Sequence, residues 1–334
     1  MYRLSLEPKN SSYPDQVSKV AVTGGAGFVG TNLVLRLISE GHEVVVIDDF
    51  STGLKSNVTH LDCRVEELSF VNESALGKSL KGCEWIFHLG ARGSVPRSIK
   101  NPQATFEANT VGTLNVLNAA RKFGSRVVFS SSSSVYGRNL ELPKREESWM
   151  APLTPYAASK LAGEALVQSY AESFEIPAIT FRFFNIFGPW QRPDHDYAAV
   201  VPKWIWKAIR NEELEVFGDG NTSRDFTYID SVVDVLTATL KRKFSYPSPI
   251  NLAFGNNITL NHLIEQIRRI YPKLHVKYSP ERKGDIRGSQ NDPTLIKQLF
   301  PEVKPVSFEE GIRKTNEWLV DFGEKVAGQS IQRD

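Results

Sequence analysis

The sequence predicts an α/β protein built on a doubly wound parallel sheet, followed by a smaller mixed α/β lobe. Three observations carry that expectation. Short apolar runs alternate with segments of helical apolar spacing through the first half of the chain, the pattern of strands joined by crossover helices. A glycine-rich turn, Gly24-Gly25-Ala26-Gly27-Phe28-Val29-Gly30, separates the first apolar run from the first helical segment. Tyr156 and Lys160 stand four residues apart behind Thr154-Pro155, which reads as a helix cap and first helical position.

Taken in order, Lys19-Val20-Ala21-Val22 reads as a buried strand. Thr31 to Glu40 places Leu33, Val34, Leu37 and Ile38 on one helical face and stops at Gly41. Glu43 to Ile47 is a second strand and Trp85 to Leu89 a third, followed by a helix through Thr105 to Lys122. Arg126 to Phe129 is a fourth, followed by the helix of Tyr156 and Lys160, and Ala178 to Phe183 is a further strand. After about Asn185 the alternation loosens into short strands, turns such as Phe217-Gly218-Asp219-Gly220, and an amphipathic helix near Leu260 to Ile270. Ile250 to Phe254 reads as a core strand that can return to the main sheet. The expected organisation is an N-terminal extension (1–16), a dinucleotide-binding domain (17–184, also receiving the strand near 250–254) and a discontinuous substrate lobe (185–330).

A chain of 334 residues can bury a large core. Its net charge is +2, with acids and bases interspersed, so neither nucleic acid nor an anionic membrane is implied. Lys241-Arg242-Lys243 is a short run that reads as solvated surface. Cys63 and Cys83 are the only cysteines and have no metal-ligand spacing; no metal and no disulfide framework is expected, and a reducing cytoplasm fits. Met1 to Gln16 is polar, which argues against a secretory leader, and no apolar run approaches the ~20 residues of a membrane span.

The glycine turn has the context of a dinucleotide site. Gly24, Gly27 and Gly30 allow a tight turn, close backbone approach to a pyrophosphate and close helix packing, and the helix start offers free N–H groups. Asp48, with Asp49 beside it, ends the second strand, where a carboxylate accepts hydrogen bonds from the ribose of NAD and repels the extra phosphate of NADP. Tyr156 alone is a poor base near neutrality; the Lys160 charge is expected to favour its phenolate. The serines at 130–134 leave the fourth strand at the sheet edge where ligands bind. One hydroxyl there can share a proton with Tyr156; a Ser-rich turn satisfying its own backbone is the competing reading.

The chain resembles the extended short-chain dehydrogenase/reductases, in their nucleotide-sugar epimerase/dehydratase branch. The resemblance runs through Thr23 to Gly30, Asp48-Asp49-Phe50-Ser51-Thr52-Gly53, Asp62, His88-Leu89-Gly90-Ala91, Asn109, Phe129 to Gly137, Tyr156 to Lys160, Arg182 to Pro189, Gly218 to Phe226 and Gly284 to Arg287. It implies a Rossmann lobe holding NAD and a smaller lobe holding a UDP-sugar, in a homodimer. It makes Tyr156 the base, Lys160 its partner on the nicotinamide ribose, and Ser132 the contact to the sugar 4-hydroxyl. Phe28, Val29, Ser51, Thr52, Gly53, Asp62, Cys63, Leu89, Gly90, Ala91, Asn109 and Ser130 join the cofactor contacts. Asn185, Arg224 and Arg282 fall to the nucleotide diphosphate, with Asp285 nearby.

Two details narrow the branch. The 4,6-dehydratases of the family carry Asp-Glu just before Val-Tyr-Gly, and decarboxylating members carry Glu; this chain has Ser133 and Ser134, so elimination is disfavoured. Gly93 to Ile99 with Ser94, Ser132 to Ser134, Tyr197 to Trp204 with Val200, Lys203 and Trp204, and Ser289 are similar to bacterial epimerases of UDP-N-acetylhexosamines or their uronic acids. Glucose/galactose-restricted relatives place a tyrosine at Ser289. Ala91-Arg92 and Trp190-Gln191-Arg192 depart from that group, and Arg92 and Arg192 favour an anionic sugar instead. The expected activity is UDP-sugar 4-epimerisation through a 4-keto intermediate, with a reductase, dehydratase or decarboxylase on the same scaffold, or a non-catalytic NAD-sensing regulator, as alternatives.

Overall fold

A computed structural model describes residues 17–194, 198–281 and 288–331. The expected extension 1–16, Arg282 and Asp285 lie outside the described residues. Six strands, β1 (Lys19–Thr23), β2 (Glu43–Asp48), β3 (Arg64–Glu67), β4 (Trp85–His88), β5 (Arg126–Ser132) and β6 (Ala178–Phe183), join the strand Ile250–Leu252 in one sheet. The order is 250–252, β6, β5, β4, β1, β2, β3, and each neighbouring pair is parallel. The order reverses between β1 and β4, and such a switch point opens a crevice at the carboxyl ends of the strands.

Alternation along the strands builds two cores. Val20, Val22, Val44, Val46, Phe87 and Val128 point to one face; Ala21, Val45, Ile47, Ile86, Val127 and Phe129 point to the other. Helices cover both faces, which is why the central strands read as unbroken apolar runs. The first face carries α1 (Phe28–Ser39) and the second α2 (Glu73–Leu80), α5 (Gly112–Phe123) and α6 (Pro155–Phe174). Between β4 and α5 run the short helices α3 (Val95–Lys100) and α4 (Pro102–Phe106) and a π-helical stretch, Glu107–Val111, so the long helix expected over 105–122 is interrupted.

Helix α6 starts as its sequence predicts: Pro155 is the first helical residue and Thr154 Oγ1 accepts the Ala157 N–H at 3.2 Å. It lies unusually close to β5. A Cβ on Gly163 would sit 2.6 Å from Cζ of the buried Phe129 ring.

Beyond β6, most of the described strands form small separate sheets, while helix Ile229–Lys241 packs beside α1. Asn185–Phe187 pairs with Phe226–Tyr228, and Ser223–Arg224 with Ile258–Thr259 and Gly288–Ser289. Fully buried Asp225 ties them together: its carboxylate accepts the N–H groups of Gly255 (3.0 Å), Asn256 (3.1 Å) and Asn291 (3.0 Å).

Gly163→Val is expected to destabilise the protein by about 1–3 kcal/mol, because Phe129 has no open space to retreat into. Denaturant titration with an unchanged m-value checks it.

Candidate active site

A cavity of about 730 Å³ opens at the switch point. Its floor is the glycine turn. Gly24 N–H donates to the Ile47 carbonyl at 2.8 Å, and a Cβ on Gly30 would lie 2.1 Å from Gly24 O, so only glycine lets α1 approach the turn this closely. Gly27 caps α1 without a side-chain hydrogen bond, leaving backbone N–H groups of the first turn for a ligand anion. Asp48 closes one end. Its two oxygens accept Phe50 N–H at 2.8 Å and Ala26 N–H at 3.0 Å, which orients the carboxylate; burial pushes the carboxyl up, and those two bonds oppose the shift.

Of the residues singled out in the sequence, Phe28, Val29, Asp49, Ser51, Thr52, Gly53, Leu89, Gly90, Ala91, Arg92, Ser94, Ser130, Ser132, Tyr156 and Lys160 border this cavity. Others lie off its wall. Asp62 is exposed; Cys63 is half-buried, with its thiol against the Val58 carbonyl at 3.8 Å. Asn109 works from behind: Oδ1 accepts Arg92 N–H at 2.7 Å and Nδ2 donates to Ser159 Oγ at 2.9 Å, pinning the Ala91-Arg92 wall to α6. Trp204 is packed in the core, on the apolar face of helix Val200–Ile209, where Val200 is half-buried and Lys203 is exposed. Asn185, Ser133, Ser134, Arg224 and Ser289 are half-buried and do not line the cavity. Phe183, Phe184, Trp190 and Gln191, which the sequence did not single out as site residues, also line the wall. Their signal was the Arg182-to-Gln191 stretch, where apolar residues continue past the end of β6.

Lys160 and Tyr156 share one face of α6 and reach the ends of β5. Lys160 Nζ donates to the Ser130 carbonyl at 2.6 Å. Burial drives the Lys160 ammonium down to about 7, against the pull of Glu164 one turn on. Tyr156 is the correction: its phenol is pushed up, not down, because burial outweighs every other influence, and a hydrogen bond from Ser132 only partly offsets it. Ser132 in turn accepts Ser134 Oγ–H at 2.9 Å. A row of three hydroxyls, Ser134, Ser132 and Tyr156, therefore runs into the cavity.

Below them His88 is fully buried between Thr23 Oγ1 (2.7 Å from Nδ1) and Thr113 Oγ1 (3.0 Å from Nε2). Thr113 spends its proton on the Asn109 carbonyl at 2.6 Å, so it accepts from Nε2–H, and Nδ1 accepts from Thr23. Burial first, and the Lys160 charge second, lower the imidazole to about 3.

Two buried polar atoms on the cavity wall, Arg92 Nε and Gln191 Oε1, have no partner among the described residues. With the uncapped α1 start, the Gly30 cradle and the oriented Asp48, they fit a dinucleotide and a polar co-ligand. Residues 20–253 match the model of the NAD dependent epimerase/dehydratase family. The chain belongs to that family. Its sequence is 31% identical over 307 residues to UDP-glucuronic acid decarboxylase 1 of Danio rerio, covering 90% of this chain and 72% of that one. Its fold superposes on UDP-N-acetylglucosamine 4-epimerase from Methanobrevibacter ruminantium M1, solved with UDP-N-acetylmuramic acid, at a TM-score of 0.86 and 34% identity, over 92% of this chain and 99% of the other. It also matches UDP-glucuronic acid 4-epimerase from Bacillus cereus, solved with UDP-glucuronic acid and NAD, at 0.83 and 28%, over 91% and 99%. As a member of this epimerase/dehydratase family, the protein uses NAD as its cofactor. Among the described residues no helix is long and apolar enough to cross a membrane, and no group of three or more His, Cys, Asp or Glu could hold a metal ion.

A neutral buried His88 makes the fold sensitive to acid. Below about 6.5 the unfolded chain takes up a proton on this imidazole that the native ring resists until about 3. The native state therefore loses up to about 1.4 kcal/mol per pH unit across that window. His88→Gln, which keeps one donor and one acceptor, is expected to lessen that slope; urea midpoints measured from pH 7 to pH 4 check it.

Proposed function

We propose that the protein is a UDP-sugar 4-epimerase that takes UDP-N-acetylhexosamines or their uronic acids. The observation that carries this reading is the distribution of acid and base along one cavity. Among the described residues the only carboxylates on its wall are Asp48 and Asp49, at the ribose end. At the other end stand Tyr156 and Ser132, supported by Ser134. A phenol–hydroxyl pair can take a proton from a sugar hydroxyl and return it. That end offers no carboxyl group to serve as the separate acid or base that expelling water requires.

When bound, NAD supplies a hydride acceptor and a positive charge on the oxidised nicotinamide ring. The Gly24–Gly30 turn, the α1 start and Asp48 would hold its pyrophosphate and ribose, and Lys160 its nicotinamide ribose. The protein's own part is proton handling. Ser132 orients the sugar hydroxyl, Tyr156 accepts its proton as the hydrogen at C4 departs as hydride, and the same phenol gives the proton back after the keto sugar has turned over. The Tyr156 phenol must be charged to accept, and the chain alone holds it protonated. Positive charge from Lys160 and the bound cofactor is what this reading needs to lower it.

The second reading is decarboxylation of UDP-glucuronic acid. The relatives named for that activity favour it, as does Arg92 with its unpartnered Nε. Arg192 is less available to a sugar carboxylate, since Nε and Nη2 already hold Asp194, each at 2.9 Å. Incubation with a panel of UDP-sugars, separation of products and a carbon dioxide assay decides between the two. The epimerase reading expects a C4 epimer with no carbon dioxide and no net NADH; water loss or carbon dioxide release overturns it.

Tyr156→Phe is expected to lower kcat by roughly 10²–10⁴-fold while UDP-sugar affinity stays near that of the parent protein. Single-turnover kinetics beside calorimetric binding separates the two effects. Ser289 lies off the cavity wall; on the strength of the tyrosine that glucose/galactose-restricted relatives place at this position, Ser289→Tyr is expected to cost UDP-N-acetylglucosamine roughly one to two powers of ten in kcat/KM relative to UDP-glucose, the scale of an overpacking clash. Unchanged preference would remove Ser289 from substrate selection.

A further inference from the structure

One turn beyond Lys160 on α6 lies a buried charge pair that no step above uses. Glu164 and Arg182 are each 2% exposed. Arg182, on β6, meets the Glu164 carboxylate with Nε at 3.0 and 3.2 Å and with Nη2 at 2.8 Å. Ser131, on β5, gives its hydroxyl to the same carboxylate at 2.5 Å. The far edge of the guanidinium donates to Tyr136 Oη at 2.9 Å and to the Glu146 carbonyl at 3.0 Å, and Tyr136 donates to Asn251 Oδ1 at 2.6 Å. One array thus joins α6, β5, β6, the turn after β5 and the strand 250–252.

Stability does not account for such a pair, since apolar residues of similar volume often hold a core as well or better. Apolar residues could not do two things that this position requires. Ser131 sits between Ser130, whose carbonyl holds Lys160 Nζ, and Ser132, which bonds Tyr156. A hydroxyl acceptor fixed at Ser131 therefore fixes both neighbours. A carboxylate one turn from Lys160 also places negative charge beside an ammonium that burial opposes.

We propose that the Glu164–Arg182 pair is a positioning device for the active site, holding the Ser130–Ser132 segment under Tyr156 and Lys160 and setting a carboxylate one turn from the Lys160 amine. The groups facing Lys160 agree with this. From α6 they are Tyr156 and Glu164; from β4 there is His88, which burial keeps neutral; Arg182 stands behind Glu164 on β6. Glu164 is the group that raises the Lys160 ammonium against its burial. Without it, Lys160 loses its proton at a lower pH, and a neutral amine is a weaker donor to a ribose and a weaker support for a phenolate. Arg182 is the counter-ion of the Glu164 carboxylate inside the protein, with Nη2 2.8 Å from Oε2.

The inference rests on the epimerase reading only where turnover is measured. NAD affinity of the apo-protein, read by calorimetry from pH 6 to pH 9 without any sugar, tests it independently. Glu164→Gln keeps the shape and one acceptor for Arg182. It is expected to move the alkaline loss of NAD affinity to lower pH and to cut kcat roughly 10²-fold, the scale of a misplaced catalytic group, with little change in KM. Glu164→Leu combined with Arg182→Met removes both charges; it is expected to melt near the parent Tm yet show the same losses. A double variant that binds NAD and turns over within a fewfold of the parent, or a Glu164→Gln protein whose alkaline limb has not moved, overturns the proposal. A parent protein inactive on every UDP-sugar would overturn the epimerase reading and leave the NAD measurement to decide this one.

Discussion

The close contact between α6 and β5 is the constraint on which the rest of the site depends. With no side chain at Gly163, the helix sinks onto the Phe129 ring, and Lys160, less than one turn earlier, comes within reach of the Ser130 carbonyl. A helix standing off by the width of one methyl group would break that 2.6 Å bond and carry Tyr156 away from Ser132. Thr154 and Pro155 set where the helix begins, Gly163 sets how deep it lies, and together they set where the phenol points. The chemistry of the site is thus a consequence of packing at a residue that carries no chemistry.

The same depth explains the electrostatics. Lys160 is carried down to about 7, His88 is held neutral and Tyr156 is held protonated, all by one cause, the removal of water from the carboxyl edge of β4 and β5. The expectation from spacing alone, that a lysine four residues away favours the phenolate, considered only the charge. In the folded protein desolvation is larger. A phenol that stays neutral in the protein and becomes a base only when positive charge is added is suited to a reaction in which the proton must be taken and returned.

Much of this was legible in the chain. The glycine turn, the acid at the end of β2 and the capped Tyr-Lys helix each depend on residues close in sequence, so periodicity and capping rules reach them. Strand β3, Arg64-Val65-Glu66-Glu67, escaped notice because it is an edge strand with charged residues where an interior strand carries valine. The π-helical stretch within 105–122 escaped because helical apolar spacing does not distinguish i+4 from i+5 bonding over one turn. Asn109 was expected to touch the cofactor, whereas its side chain bonds Arg92 and Ser159 across the fold. Such a contact joins three distant segments, and sequence spacing holds no record of it. Ser289 and Asn185 belong to a lobe assembled from pieces 30 to 70 residues apart around Asp225, where local pattern says little about which side chains meet.

The cavity's charges are distributed in a way that bears on what enters it. Asp48 and Asp49 occupy one end; Arg92, Arg97 and Arg192 line the remainder. A ligand of two parts suits that polarity, with neutral hydroxyls against the acids and anionic groups against the arginines. Arg192 is matched by Asp194, so its charge is balanced before any ligand arrives. Arg92 is different: its backbone is fixed by Asn109 and its buried Nε has no partner among the described residues. Leaving a buried donor unpaired costs free energy in the empty protein, of the order of 1–3 kcal/mol, and that cost is recovered only by a ligand with an acceptor at this spot. Loss of that acceptor from the ligand would leave the donor buried and unpaired again.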